Sequence, residues 1–275
     1  MYVNRLTPLI VVAGLALAAC GDDAPSADRT TTAAPAGPAT PAETTAQPPA
    51  GAPAATLIAP VSGARIAGVV DLEMVASGVT IEPAGAVQPG AGHFHVIADT
   101  GCLPAGTAIG KDADHVHFGT GATTGAIYLD PGSHTLCLQV GDGAHTALDI
   151  THSIQIEVGI DSVDEFCDVF AEADALLTAM EPSTDEFAVQ KVSVENARRL
   201  MAQLTDALGV IDAAERADVA AVVDAGRTMM EVILAAESEA EATEQLWGEN
   251  SVLPGDDELD AGAAWLLDTC GVSID

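Results

Sequence analysis

Asp130-Pro131-Gly132-Ser133-His134-Thr135-Leu136-Cys137-Leu138-Gln139-Val140-Gly141-Asp142-Gly143 reads as one strand between two turns. Leu136, Leu138 and Val140 alternate with Cys137 and Gln139, the two-residue period of an extended chain with one apolar face. Asp-Pro-Gly before it and Gly-Asp-Gly after it are turn formers, because proline presets φ and glycine admits positive φ. The same reading extends outward. Thr56-Leu57-Ile58 is followed by Pro60 and Gly63. Val69, Val70, Leu72 and Met74 form a second apolar run, and residues 93–99 alternate. Residues 123–129 lead into the Asp130 turn, and Ile150, Ile154, Ile156 and Val158 close the region.

Short strands separated by turns predict an immunoglobulin-like antiparallel β-sandwich over residues 55–158. With no helix to carry a crossover, antiparallel pairing is expected. From about Asp161 the period changes to 3.6. Val163, Phe166, Cys167, Phe170, Leu177 and Met180 share one face, and Ser162 with Glu165 forms a capping box at its start. Ala197, Leu200, Met201, Leu204 and Leu208 make a second face. Val219, Val222, Val223, Met229, Met230, Ile233 and Leu234 make a third. Leu259, Ala263, Leu266 and Cys270 make the last, closed by Gly271. The segment around Gln245-Leu246-Trp247 either extends the third helix or forms a short one. The fold class is therefore α+β in two domains: the sandwich, then an acidic up-and-down four-helix bundle over residues 161–275.

The chain opens with Arg5, an apolar stretch from Leu9, and Leu17-Ala18-Ala19-Cys20. A positive start, an apolar core and small residues before a cysteine read as a secretory signal. The ending resembles the lipobox of bacterial lipoproteins. That resemblance implies lipidation of Cys20 and an extracytoplasmic protein anchored to the membrane of the cell envelope. Residues 6–19 are too short to span a bilayer, which needs roughly 20 apolar residues. Residues 21–54, rich in Pro, Ala and Thr, bury little and are expected to be a disordered tether.

Without Cys20, four cysteines remain. In an oxidising compartment an even number suggests disulfides. Three pairings are open. The one that respects the domain boundary is Cys102 with Cys137 and Cys167 with Cys270, contributing roughly 4 and 5 kcal/mol by loop entropy. Cys167 begins the first helix and Cys270 ends the last, and an up-and-down bundle joins those ends only with an even helix count. A helix ending in Cys-Gly resembles the disulfide-closed helical domains of actinobacterial lipoproteins, which carry no activity with them.

The formal net charge is −32, with only Lys111 and Lys191 as lysines. Such a surface repels phosphate backbones and argues against nucleic-acid binding. Most of the acidity reads as solubility. There is no G-x-S-x-G and no glycine-rich phosphate loop before a helix. The chain thus reads as a binding module and not an enzyme.

All seven histidines lie between positions 93 and 152. His93-Phe94-His95 and His115-Val116-His117 place two imidazoles on one face of a strand and an apolar residue on the other. Neutral imidazole is a ligand for zinc and copper. The candidate ligands are His93, His95, His115 and His117, with His145 from the turn after Gly141-Asp142-Gly143. Asp99, Asp112, Asp114 and Asp142 are placed to orient imidazoles or to act as ligands. His134, on a face with Leu136 and Leu138, reads as a satisfied histidine and not a ligand.

Gly92-His93-Phe94-His95, Asp114-His115-Val116-His117-Phe118-Gly119, Leu129-Asp130-Pro131-Gly132, and Gly141-Asp142 with His145 follow in order. Together they resemble the exported bacterial domain-of-unknown-function family 4399 over about residues 57–158. The sequence departs from that pattern at Phe94, where members carry a longer histidine run, and at Ala122-Thr123-Thr124-Gly125, which replaces Gln-Thr-Glu. The resemblance implies no activity. Gly92-His93-Phe94-His95 with Cys102 is also similar to the copper/zinc superoxide dismutases. That enzyme needs an anion-guiding arginine, and Arg65 is the only arginine of this region. Two readings of different class follow: a β-domain holding copper or zinc, or an envelope interaction module without metal whose helical domain docks a protein partner.

Overall fold

The period-two segments fold as strands. The computed structural model describes residues 51–178, 187–248 and 251–274; Cys20, Met180 and nearly all of the tether lie outside them. Nine strands come first among the described residues: β1 (Ala54–Ala59), β2 (Arg65–Ile66), β3 (Val70–Ser77), β4 (Thr80–Ile81), β5 (Ala91–Ala98), β6 (His115–His117), β7 (Thr124–Ile127), β8 (Gly132–Gly141) and β9 (Ala147–Val158). They make a three-stranded sheet, β1-β3-β7, and a six-stranded sheet, β2-β9-β8-β5-β4, in which β6 pairs with β5. In β3, Val70, Leu72 and Met74 are buried while Asp71 and Glu73 face solvent. Those side chains, with Leu57 and Ile127, meet Phe94, Val96, Leu136, Leu138, Val140 and Ile154 of the six-stranded sheet in one core. Each large apolar side chain buried there contributes about 1.5–3 kcal/mol.

Pairing is not antiparallel throughout. β2 runs parallel to β9 and β4 parallel to β5. Each is a two-residue strand fed by a loop, so no helical crossover is required.

Five helices follow among the described residues where four are expected: α1 (Val163–Thr178), α2 (Phe187–Asp206), α3 (Arg216–Ala235), α4 (Glu239–Trp247) and α5 (Asp256–Trp265), the last continued by a π-helical turn to Cys270. At α1, Ser162 Oγ accepts from Glu165 N at 3.2 Å and the Glu165 carboxylate accepts from Asp161 N at 2.7 Å. The extra helix has the same cause. Ser238 Oγ accepts from Glu241 N at 3.2 Å, and the Glu241 carboxylate accepts from Glu237 N at 2.9 Å. This second capping box restarts the chain after Ala236 turns out of helix. α1 packs on α2, α2 on α3 and α3 on α5, while α4 packs on α3. α4 is thus a short detour, and the ends still meet: Cys167 and Cys270 are bonded, as are Cys102 and Cys137. No helix among the described residues is long and apolar enough to cross a membrane.

Gln47–Asp275 forms one compact unit, and α2 supplies several of the side chains that join helices to strands. Gln203 is fully buried. Its side chain accepts from Gly68 N at 2.9 Å and donates to the carbonyls of Gly68 (3.1 Å) and Leu129 (3.0 Å). One turn earlier, the Arg199 guanidinium donates to Tyr128 O at 2.7 Å and to the Asp114 carboxylate at 3.0 Å. Arg198 pairs with Asp130 at 3.2 Å.

Candidate metal centre

β5 divides its side chains between two surroundings. Phe94, Val96 and Ala98 enter the core between the sheets. His93, His95 and Ile97 take the opposite face, where Ile97 joins Ile109, Cys137 and Ala147 in a second apolar cluster. Both histidines are fully buried. On one flank, β8 sets Gly141 opposite His93 and Gln139 opposite His95. On the other, β6 sets His117 opposite His95 and His115 opposite Ile97. The two histidine pairs are therefore out of step by one place, so the register aligns only one histidine of each pair. Extending it by two residues brings Gly119 opposite His93. A Cβ at position 119 would lie 2.0 Å from the His117 ring, and one at Gly141 would lie 2.9 Å from His95 Nε2. Glycine at both positions lets the rings approach the backbone this closely.

The space beside His93 is filled from the β8–β9 turn. Asp142 Oδ1 accepts from Ala144 N at 2.9 Å and Thr146 N at 2.8 Å. His145 between them adopts φ 64°, a left-handed conformation that histidine tolerates better than most residues. This turn points the His145 ring back at the strands. Nε2 of His145 lies 3.1 Å from Nε2 of His117, and Nε2 of His95 lies 3.0 Å from Nε2 of His93. His93, His95 and His117 each bring a nitrogen within 4.8 Å of the others.

The four rings of His93, His95, His117 and His145 form a closed set, with all six centroid separations between 4.6 and 5.8 Å. A metal–nitrogen bond of about 2.0–2.1 Å, with about 1.1 Å more to the ring centre, predicts centroids about 4.5 Å apart at right angles and about 5.2 Å apart in a tetrahedron. His93, His95 and His117 meet that requirement together, with ring centres 4.7 to 5.0 Å apart and nitrogens mutually within 4.8 Å; His145 stands outside this three-nitrogen set, its ring centre 5.8 Å from that of His95, and meets it through His117.

Protonation places a further constraint on the buried pair. Nδ1 of His93 and Nδ1 of His95 are buried without a hydrogen-bond partner. A neutral imidazole carries one proton. If one Nε2 donates to the other, the acceptor ring must hold its proton on an unpaired buried Nδ1, at a cost of about 1–3 kcal/mol. No tautomer satisfies both rings through the protein alone.

Burial, with the neighbouring His117 and His145, pushes His93 down to about 4; burial, then His93 and His117, pushes His95 down to about 3. Burial also lowers His117. The buried pair is thus neutral, the ligand form, from physiological pH well into the acid range. In the metal-free protein both bind their protons more weakly than in the unfolded chain, where the ordinary value is about 6.5. Their contribution to stability is complete above about pH 6.5. It falls as pH drops towards 4 for His93 and 3 for His95, at about 1.4 kcal/mol per pH unit for each. Urea unfolding of metal-free protein at pH 7.5 and 4.5 is expected to show this loss, and His95→Gln to reduce it. An unchanged pH dependence in that variant refutes the assignment.

The remaining histidines have other partners. His115 Nδ1 lies 2.8 Å from the Asp112 carboxylate, which is held below the usual range by that bond. His134 contacts the Asp99 carboxylate at 2.8 Å and Asp130 O at 2.7 Å. His152 Nδ1 accepts from Leu57 N at 3.1 Å, tying β9 to β1. Of the four aspartates, Asp142 shapes the His145 turn, Asp112 and Asp99 hold histidines outside the cluster, and Asp114 meets Arg199. Arg65 sits on β2, separated from β5 by β9 and β8, and is paired with Asp161 and Glu157. Arg65 is therefore not placed at the cluster as the guiding arginine of a superoxide dismutase would be. The spacing of the histidines did not single out Gly119 and Gly141 as the residues that admit the rings; Gly119 closes the H-x-H-F-G segment, which is the one signal for it.

Residues 72–159 match the model of a family described as a domain of unknown function (DUF4399). The match runs from β3 to just beyond β9 and contains all four clustered histidines. No curated protein matches the chain.

Proposed function

We propose that this protein binds one transition-metal ion, copper or zinc, through His93, His95, His117 and His145. The observation that carries the reading is the convergence of these four rings, with the Nε2 atoms of His93 and His95 3.0 Å apart and those of His117 and His145 3.1 Å apart. A cation among the Nε2 atoms converts lone pairs that face one another into four bonds. Nδ1–H groups stay unpaired in both buried rings, a cost of about 1–3 kcal/mol each, against metal-binding free energies on the order of 10 kcal/mol for structural sites. When bound, the metal supplies Lewis acidity or, for copper, one-electron chemistry. The residues hold it and bury its inner side under loop 99–110, while His117 and His145 border solvent and offer the way in.

The domain around the site is of sandwich type, a reading supported by the core common to both sheets. The lipobox-like Leu17-Ala18-Ala19-Cys20 and the two disulfides support an extracytoplasmic, lipid-anchored protein. Titration of the full chain with Cu(II) and separately with Zn(II), followed by desalting and metal analysis, is expected to show one ion per chain for wild type and for His115→Ala. Wild-type protein that keeps neither metal overturns the proposal.

A further inference from the structure

The metal reading leaves the helices without a part, yet one side chain of α2 reaches the residue just before the strand that carries His117. β6 is three residues long and pairs only with β5 among the described strands. Such a strand does not fix its own position, so what holds its two ends decides where His117 sits. At the far end, Phe118 N donates to Phe94 O at 3.0 Å and the Phe118 ring is buried in the core. The near end follows a long irregular segment. Asp112 Oδ1 folds its last residues, accepting from Asp114 N and His115 N, each at 2.9 Å. Asp114 O accepts from Ala98 N at 2.9 Å, leaving the Asp114 carboxylate to be anchored from outside the strands.

That anchor is Arg199. Its side chain is 8 % exposed, and its guanidinium donates to Asp114 Oδ1 at 3.0 Å, Tyr128 O at 2.7 Å and Glu195 Oε1 at 3.4 Å. An arginine gripped on three sides is a rigid planar donor, so the Asp114 carboxylate, itself 56 % exposed, is tied to α2. From Asp114 to His117 is three residues of extended chain, about 3.3 Å per residue, which transmits displacement with little slack. Metal–ligand distances tolerate only about 0.2 Å.

We propose that Arg199, through Asp114, is a positioning residue for His117, making the helical half of the protein a clamp on the metal site. The inference rests on the metal-binding reading of the histidine cluster.

Arg198 supplies the control, since it binds Asp130 and Glu195 at the same interface without reaching the segment that leads into β6. Arg199→Gln and the surface change Asp114→Asn, which leaves the Arg199–Tyr128 bond intact, are made in the full chain. Each is expected to weaken Cu(II) about tenfold, the lower end for groups that orient ligands, and to change the Cu(II) EPR hyperfine splitting. Arg199→Lys recovers part of the loss, and Arg198→Gln leaves affinity and spectrum at wild-type values. In metal-free protein, amide exchange at residues 115–118 accelerates in Arg199→Gln and Asp114→Asn but not in Arg198→Gln. Wild-type affinity and spectrum in both Arg199→Gln and Asp114→Asn overturn the inference, whatever the exchange shows. Wild-type protein that takes neither Cu(II) nor Zn(II) overturns it together with the metal reading, and exchange then reports the Arg199–Asp114 link by itself.

Discussion

Alanine at both His93 and His95 is expected to abolish metal loading of the full chain. Four imidazoles sharing a binding free energy on the order of 10 kcal/mol or more contribute roughly 3 kcal/mol each. Removing two therefore costs roughly 6 kcal/mol, or about 10⁴-fold in affinity. This pair matters most because it sits on β5, which is paired on both flanks along the site and buried along its whole length. Its geometry is set before any metal arrives, whereas His117 and His145 are carried by an edge strand and a turn. Competition titration with a chromophoric chelator measures the effect, with His115→Ala as the control expected to lie within about twofold of wild type. A double variant that still holds one ion per chain removes these residues from the site.

Replacing Cys167 and Cys270 by serine is expected to destabilise the protein by about 5 kcal/mol. The bond closes a loop with a sequence separation of 103 residues, and constraining a loop of that size in the unfolded chain is worth roughly 4.7 kcal/mol. It ties the second turn of α1 to the end of the last helix, so its loss frees the only covalent closure of the helical half among the described residues. The Cys102–Cys137 bond, with a separation of 35, is worth about 1 kcal/mol less by the same argument. Urea unfolding followed by far-UV circular dichroism checks this. A change below about 1 kcal/mol for the Cys167 and Cys270 pair would show that the unfolded chain is already constrained there by other means.

Much of the fold was legible because it is local. Alternation in residues 136–140 and 70–74 reports a half-buried strand directly, and the change of period at Asp161 reports helices, because side-chain direction follows backbone geometry within a few residues. The Ser162–Glu165 capping box was read on the same ground. Its twin at Ser238 and Glu241 is equally local, and it settles the segment around Gln245-Leu246-Trp247 as a short helix of its own, beyond the four expected. The parallel pairs β2–β9 and β4–β5 were not readable, since two-residue strands are too short to show a period.

For the candidate site, the residue types were written in the chain and their arrangement was not. Two H-x-H pairs put imidazoles on strand faces by local geometry alone, and the surrounding glycines and aspartates marked turns. Which histidines meet depends on register between β5 and β6, and register is a long-range quantity: one step of slip moves every neighbour. It sets His117 against His95, leaves His115 with Asp112, and puts Gly119 where a fourth ring is needed, so that His145 arrives from a turn 28 residues further along the chain. The reach of Arg199 to Asp114 spans 85 residues and carries no periodic signal. Composition and short-range spacing determined what this protein can bind with; only the packing of distant segments decided which of those groups stand together.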